Sequence, residues 1–179
     1  FFFKQKTAYE DTSVTGVQTC ALPICAVAGA GMSLLAAADL AIAAEDTKFS
    51  MAYSAIGTSP DGGSTWFLPR LVGARRAMEL LLLSEPFDAA TALRYGLVNR
   101  VVPAAELETA TAQLARRLAG GPARAHAEIK ALVNRSFETP LPAQLDAEAA
   151  AFARCAATRD FNEGVTAFVG KRKAKFEGR

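Results

Sequence analysis

Three short stretches carry residue types that could do chemistry, depending on where they sit. In Ser59-Pro60-Asp61-Gly62-Gly63-Ser64, Asp61 is a lone carboxylate running into Trp66, Phe67 and Leu68. A carboxylate facing those side chains would suit a general base. Asp between Pro and Gly is equally ordinary turn or N-cap chemistry, so the pattern leaves both readings open. In Ala28-Gly29-Ala30-Gly31-Met32-Ser33, small residues precede a helix. They let backbone N–H groups approach a ligand, and a helix N-terminus supplies unpaired donors that suit an anion or a developing oxyanion. The plain alternative is a tight turn between strand and helix. The third stretch, Gly170 to Phe176, holds Lys171, Arg172, Lys173 and Lys175, and reads as a phosphate contact or as a solvated helix end. His126 is the one histidine, so a metal site built from protein ligands is not expected.

The elements that must position these residues follow from period and punctuation. A short buried strand at Ala26, the Gly29/Gly31 turn, a helix over Met32 to Ala38 and a strand over Leu40 to Ala44 make an α/β unit with parallel strands. A second short strand follows Lys48. Residues 57–64 are a loop, with Pro60 fixing its φ and Gly62 and Gly63 admitting conformations closed to other residues. Two helices follow. The one over residues 74–85 has its apolar side at Met78, Leu81 and Leu82, and the one over 88–96 has Asp88 as N-cap and Gly96 just past its end. Residues 97–103 read as a strand. From Ala104 onward all is helix: to Gly120, from Pro122 to about Phe137, over 143–157, and from Thr158 or Asp160 through Phe176.

Residues 1–25 stand apart. Val14 to Ile24 and Lys4 to Glu10 can be back-translated, in the correct order, into sequence resembling a sequencing-library adapter and its primer. We read residues 1–24 as an adapter-derived artefact, with Cys25 at the seam, and exclude them from fold reasoning. This segment is neutral, with Lys4 and Lys6 against Glu10 and Asp11, so the net charge of +2 belongs to the remainder. So small an excess implies neither nucleic acid nor an anionic membrane. Cys20 and Cys25 lose their interest as a pair, no disulfide framework is supported, and a cytoplasmic compartment is the expectation. The sequence divides into residues 26–103, with too few strands to close a sheet covered on both faces, and the helical residues 104–179.

Taken together, Ala28 to Phe49, Gly57 to Gly73, Asp88 to Pro103 and Asp160 to Lys173 resemble, in order, the crotonase (enoyl-CoA hydratase/isomerase) superfamily. The resemblance implies an α/β fold, a ββα spiral that is here N-terminally truncated, with a C-terminal all-helical region that packs subunits into trimers or hexamers. It implies acyl-CoA thioester chemistry through an enolate held by two backbone N–H groups, with no cofactor, since coenzyme A is part of the substrate. One of the donors maps to Ala30, flanked by Gly29 and Gly31. The other belongs to an upstream turn absent here, so the chain expressed alone is expected to be insoluble or inactive.

Hydratases of the superfamily add water with two glutamates, and these align with Ser33 and Tyr53. Neither is an acid, which disfavours hydration. In the isomerase branch a carboxylate follows the Pro of the glycine turn, where Asp61 stands, and phenylacetate-pathway isomerases look especially similar over Pro60 to Gly73. The implied reaction moves a 3,4 double bond to 2,3, with Asp61 as the base. Substrate contacts are implied for Gly29, Gly31 and Trp66, and for Phe152 and Lys171 toward the CoA nucleotide of a neighbouring subunit. Aryl-CoA dehalogenation, with an Asp at this turn as nucleophile, and a non-catalytic acyl-CoA-binding scaffold are the alternatives.

Overall fold

The computed structural model describes Cys20–Ala21 and residues 25–179. The stretch read as adapter-derived therefore lies outside the described residues, apart from Cys20–Ala21 and the seam residue Cys25. The chain forms two compact units, one ending at Ala115 and one running from Arg116 to Arg179.

In the first unit, the strands β1 (Cys20–Ala21), β2 (Ala26–Ala28), β3 (Leu40–Ala44), β4 (Lys48–Ser50), β5 (Phe87–Asp88) and β6 (Arg100–Val102) make two three-stranded sheets. One has the order β1-β3-β6 and is parallel throughout. In the other, β2-β4-β5, β2 and β4 are parallel and β5 is antiparallel to β4. Successive strands β1 to β4 alternate between the sheets, with helix α1 (Ala30–Ala37) interposed after β2. This is a repeating β-β-α turn.

The alternation along β3 shows why these residues form a strand. Ala41 and Ala43 join one core cluster, with Val27, Met32, Leu35 and Phe49, while Ile42 and Ala44 join another with Val102, Leu107 and Ala110. A strand covered on both faces reads as an unbroken apolar run. Met32 and Leu35 fix α1 in the first cluster, each worth about 1.5–3 kcal/mol of burial. Helix α1 starts at Ala30, two residues before the expected Met32, because Gly29 at φ +53 makes the break and Met32 N–H already bonds the Gly29 carbonyl at 2.9 Å.

Helices α2 (Ser64–Val72), α3 (Ala74–Leu83) and α4 (Ala89–Arg94) follow. The expected apolar side of α3 is corrected: Ala77 and Leu80 are buried and Leu81 packs against them, while Met78 and Leu82 are 58% and 63% exposed. A contiguous Leu80-Leu81-Leu82-Leu83 run does not fix a helix's rotation, and the small Ala77 admits the close approach. Asp88 caps α4 as expected, accepting from Thr91 N–H at 2.8 Å, but the pairing of β5 with β4 was not anticipated from the sequence.

Helix α5 (Leu107–Ala119) crosses from the first unit into the second, where α6 (Ala123–Ser136), α7 (Leu141–Ala156) and α8 (Arg159–Val169) follow. Of the two candidate caps for α8 the structure uses Thr158, whose Oγ1 accepts from Phe161 N–H at 3.1 Å. The expected helix through Phe176 ends instead at Val169. Asp160, 4% exposed, accepts from the N–H groups of Glu177 at 2.7 Å and Gly178 at 2.9 Å, and its own N–H donates to the Arg179 carbonyl at 3.0 Å. Glu163 accepts two bonds from Arg172, at 2.6 and 2.8 Å, and one from Lys175 N–H at 2.8 Å. These bonds fold the tail back along α8, with Lys171 at φ +49 making the reversal. The Arg172 guanidinium, then the Lys175 N–H, draws the Glu163 carboxyl down to about 2.

Candidate functional site

Asp61 sits in the loop before α2 with an exposed side chain. Its Oδ1 accepts the Tyr53 hydroxyl at 2.6 Å. Tyr53 is 7% exposed, and its oxygen lies 3.0 Å from Ser33 Oγ, on α1. Ser33 Oγ in turn donates to the Asp61 carbonyl at 3.0 Å and lies 2.5 Å from Ser64 Oγ, at the start of α2. Ser33 and Ser64 are each 1% exposed. The carboxylate is thus the solvent-facing end of a buried hydroxyl chain tied to α1 and α2.

Proton counting gives this chain a direction. Three hydroxyls hold three protons for four contacts, and an ionised Asp61 brings none. The bond to the charged oxygen is the strongest available, so the Tyr53 proton goes there. The Ser33 proton is then shared between the Asp61 carbonyl and the Tyr53 oxygen, and the Ser64 proton falls to Ser33. Tyr53 donates to the carboxylate, while Ser33 divides its proton between two acceptors, one of them the Asp61 backbone carbonyl.

Local backbone geometry makes these approaches possible. Gly62 and Gly63 have φ +58 and +83, and a Cβ on Gly62 would meet the Ser33 Cβ at 2.9 Å. Ala52, immediately before Tyr53, holds φ +56 without being glycine, at a cost of about 1–2 kcal/mol. A serine cluster pins the segment: Ser54 Oγ donates to the Leu82 carbonyl at 3.0 Å and lies 2.7 Å from Ser84 Oγ, while Ser50 Oγ donates to the Ser84 carbonyl at 2.8 Å.

Ala30 is the exposed first residue of α1, one turn before Ser33. A helix's first N–H groups have no carbonyl a turn earlier to bond, so they face outward as donors. Gly29 and Gly31 flank it; a Cβ on Gly31 would touch Val27 at 3.5 Å. The hydrogen-bond partner of the Asp61 carboxylate is the buried Tyr53 phenol. Trp66, 40% exposed, has its ring under the Arg70 guanidinium at 3.7 Å and packs edge-on against Phe67. Phe152 and Lys171 belong to the second unit, where Phe152 packs edge-on to Phe161 and Lys171 is exposed at the tail reversal. The sequence assigns no role to Ser64, although it closes the Asp61 stretch, and nothing in the pattern around Ser84 marks it.

Among the described residues there is no group of three or more His, Cys, Asp or Glu side chains placed to hold a metal. No described helix is long and apolar enough to cross a membrane.

The family model described as Enoyl-CoA hydratase/isomerase matches residues 7–179. A Rhodobacter capsulatus protein named probable enoyl-CoA hydratase is 42% identical over 168 residues, covering 91% of this chain and 65% of that protein. The 1,2-epoxyphenylacetyl-CoA isomerase of Escherichia coli is 41% identical, covering 87% of this chain and 61% of its own. The crystal structure of an enoyl-CoA hydratase from Polaromonas superimposes with a TM-score of 0.81 at 37% identity, over 86% of this chain and 60% of that one. The chain therefore spans less than two thirds of the length of these relatives. With its β-β-α turns and helical second unit, it has the crotonase fold and belongs to the enoyl-CoA hydratase/isomerase family.

Proposed function

We propose that the enzyme containing this segment is an enoyl-CoA isomerase, moving the double bond of a 3-enoyl-CoA thioester to the 2,3 position. The observation that carries this reading is the composition of the Asp61 network. Its other side chains, Ser33, Tyr53 and Ser64, are hydroxyls, and none is a second carboxylate to activate water. One base suffices for a double-bond shift. Asp61 takes a proton from the carbon next to the thioester carbonyl, and the electron pair of that C–H bond delocalises into an enolate. The Ala30 N–H, at the positive end of α1, stabilises the enolate oxygen. Asp61 then returns the proton two carbons along, where a new C–H bond forms as the 3,4 double bond becomes 2,3.

The reading requires no cofactor, and it assigns Trp66 to the substrate and Phe152 and Lys171 to the CoA nucleotide held by a neighbouring subunit. The family resemblance supports a homotrimer or hexamer as the working assembly. The test is product analysis by chromatography after incubating the full-length enzyme with a 3-enoyl-CoA and, separately, a 2-enoyl-CoA. Formation of the 2-enoyl isomer supports the reading. Formation of 3-hydroxyacyl-CoA alone identifies a hydratase and overturns it, and binding without product identifies a non-catalytic acyl-CoA protein.

A further inference from the structure

We infer that Tyr53 is a positioning residue that selects which oxygen of Asp61 carries the proton; this rests on the isomerase reading above. Oδ1 already accepts the Tyr53 hydroxyl at 2.6 Å, and that phenol is held from behind by Ser33 Oγ at 3.0 Å. A proton arriving at Oδ1 would have to displace the Tyr53 donation, the bond of the network made to a charged oxygen. Oδ2 is not an acceptor in that chain and lies on the exposed side chain. It is therefore the oxygen that takes the substrate proton and gives it back.

The consequence concerns the proton as well as the rate. A carboxylic acid fixed by a bond at one oxygen keeps its other oxygen, and the proton on it, aimed at the bound substrate. A carboxyl freed of that bond can rotate about its Cβ–Cγ axis, bring either oxygen to the substrate and exchange its proton with water before returning it. Tyr53 acts in this account only through Asp61. Ala52, strained at φ +56, and Ser54, bonded to Ser84, fix the backbone on both sides of it, as an orienting group needs.

The experiment compares the full-length enzyme with Tyr53→Phe and Ser33→Ala, in kinetics on a 3-enoyl-CoA and in deuterium content of product formed in D₂O. A hydrogen bond to a charged group is worth about 1.5–3 kcal/mol, so Tyr53→Phe is expected to lower kcat by about 10- to 100-fold. KM should stay within a factor of about two, because substrate binding does not use the phenol. Deuterium incorporation per turnover should rise. Ser33→Ala, which keeps the Tyr53 hydroxyl but removes its support, should move both quantities in the same direction and less far. An active parent enzyme with unchanged kcat and deuterium content in Tyr53→Phe overturns this inference alone. A loss of kcat without added deuterium assigns Tyr53 a purely structural role and also overturns it. A parent enzyme that forms no isomer overturns the isomerase reading and this inference together.

Discussion

Gly62 and Ser33 stand so close that a methyl group on the glycine would come within 2.9 Å of the serine Cβ, a separation real Cβ atoms essentially never show. This contact joins the turn that carries Asp61 to the helix that begins at Ala30.

Gly62→Ala is expected to lower stability by roughly 2–4 kcal/mol, from a positive φ forced on an L side chain together with overpacking against Ser33. Urea denaturation followed by circular dichroism measures it. A change within about 0.5 kcal/mol, the range of ordinary surface substitutions, would show that the turn and α1 are not in contact.

The same closeness bears on reaction class. Ser33 is 1% exposed and already contacts three oxygens, so Ser33→Glu would place an unpaired carboxylate in a filled site. Its expected cost is roughly 3–5 kcal/mol, with no gain of hydration. Detectable 3-hydroxyacyl-CoA from a folded Ser33→Glu enzyme would contradict this.

Asp61→Asn keeps the shape of the side chain but removes its basicity. In the full-length enzyme kcat should fall by about 10²- to 10⁴-fold, while calorimetric affinity for a CoA ester changes little. Turnover within a factor of two of the parent would remove Asp61 from the role of base.

The tail clamp has a pH dependence of defined sign. Glu163 ordinarily titrates near 4.5 and is drawn to about 2, chiefly by Arg172. A carboxylate lowered on folding contributes fully above its ordinary value and is lost as pH falls through its folded value. Protection of the Lys175 amide, which donates to Glu163 at 2.8 Å, should therefore be flat above pH 4.5 and decline toward pH 2. Hydrogen exchange reads it, and in Glu163→Gln the decline over this window should vanish.

Asp160→Asn exchanges one acceptor oxygen for an N–H donor opposite Glu177 or Gly178, both of which already present N–H groups. The tail should detach, and trypsin should cut at Lys171 to Lys175 several-fold faster than in the parent. Equal cleavage rates would mean that the clamp does not hold the tail.

How far these features were legible depends on whether their causes are local. β3, the Asp88 cap and the Gly62-Gly63 turn all follow from neighbouring residues, and they were readable; the burial of β3 on both faces was not, because it depends on what distant segments lay against each face. Asp61 stood out because Pro60 and two glycines frame it. Tyr53 and Ser33, 20 residues apart, stood out only through the resemblance, as the positions of the two hydratase glutamates, and nothing in either neighbourhood says that their hydroxyls meet or that Tyr53 donates to Asp61. The rotation of α3 was misjudged because four consecutive leucines satisfy several apolar stripes, and only packing at Ala77 selects one. The end of α8 was misjudged for another reason. Backbone N–H groups returning to Asp160 and Glu163 stop it, and such bonds leave no periodic trace.

Asp88 pairs with Lys48 in the sheet ladder and, in the same residue, caps α4 through Thr91. No hinge separates strand from helix. Unfastening β5 from β4 therefore frays the first turn of α4 at the same moment, and losing the cap loosens the end of the ladder. The amides of β4, β5 and α4 should consequently open with one shared free energy, forming a single cooperative block behind the segment that presents Tyr53.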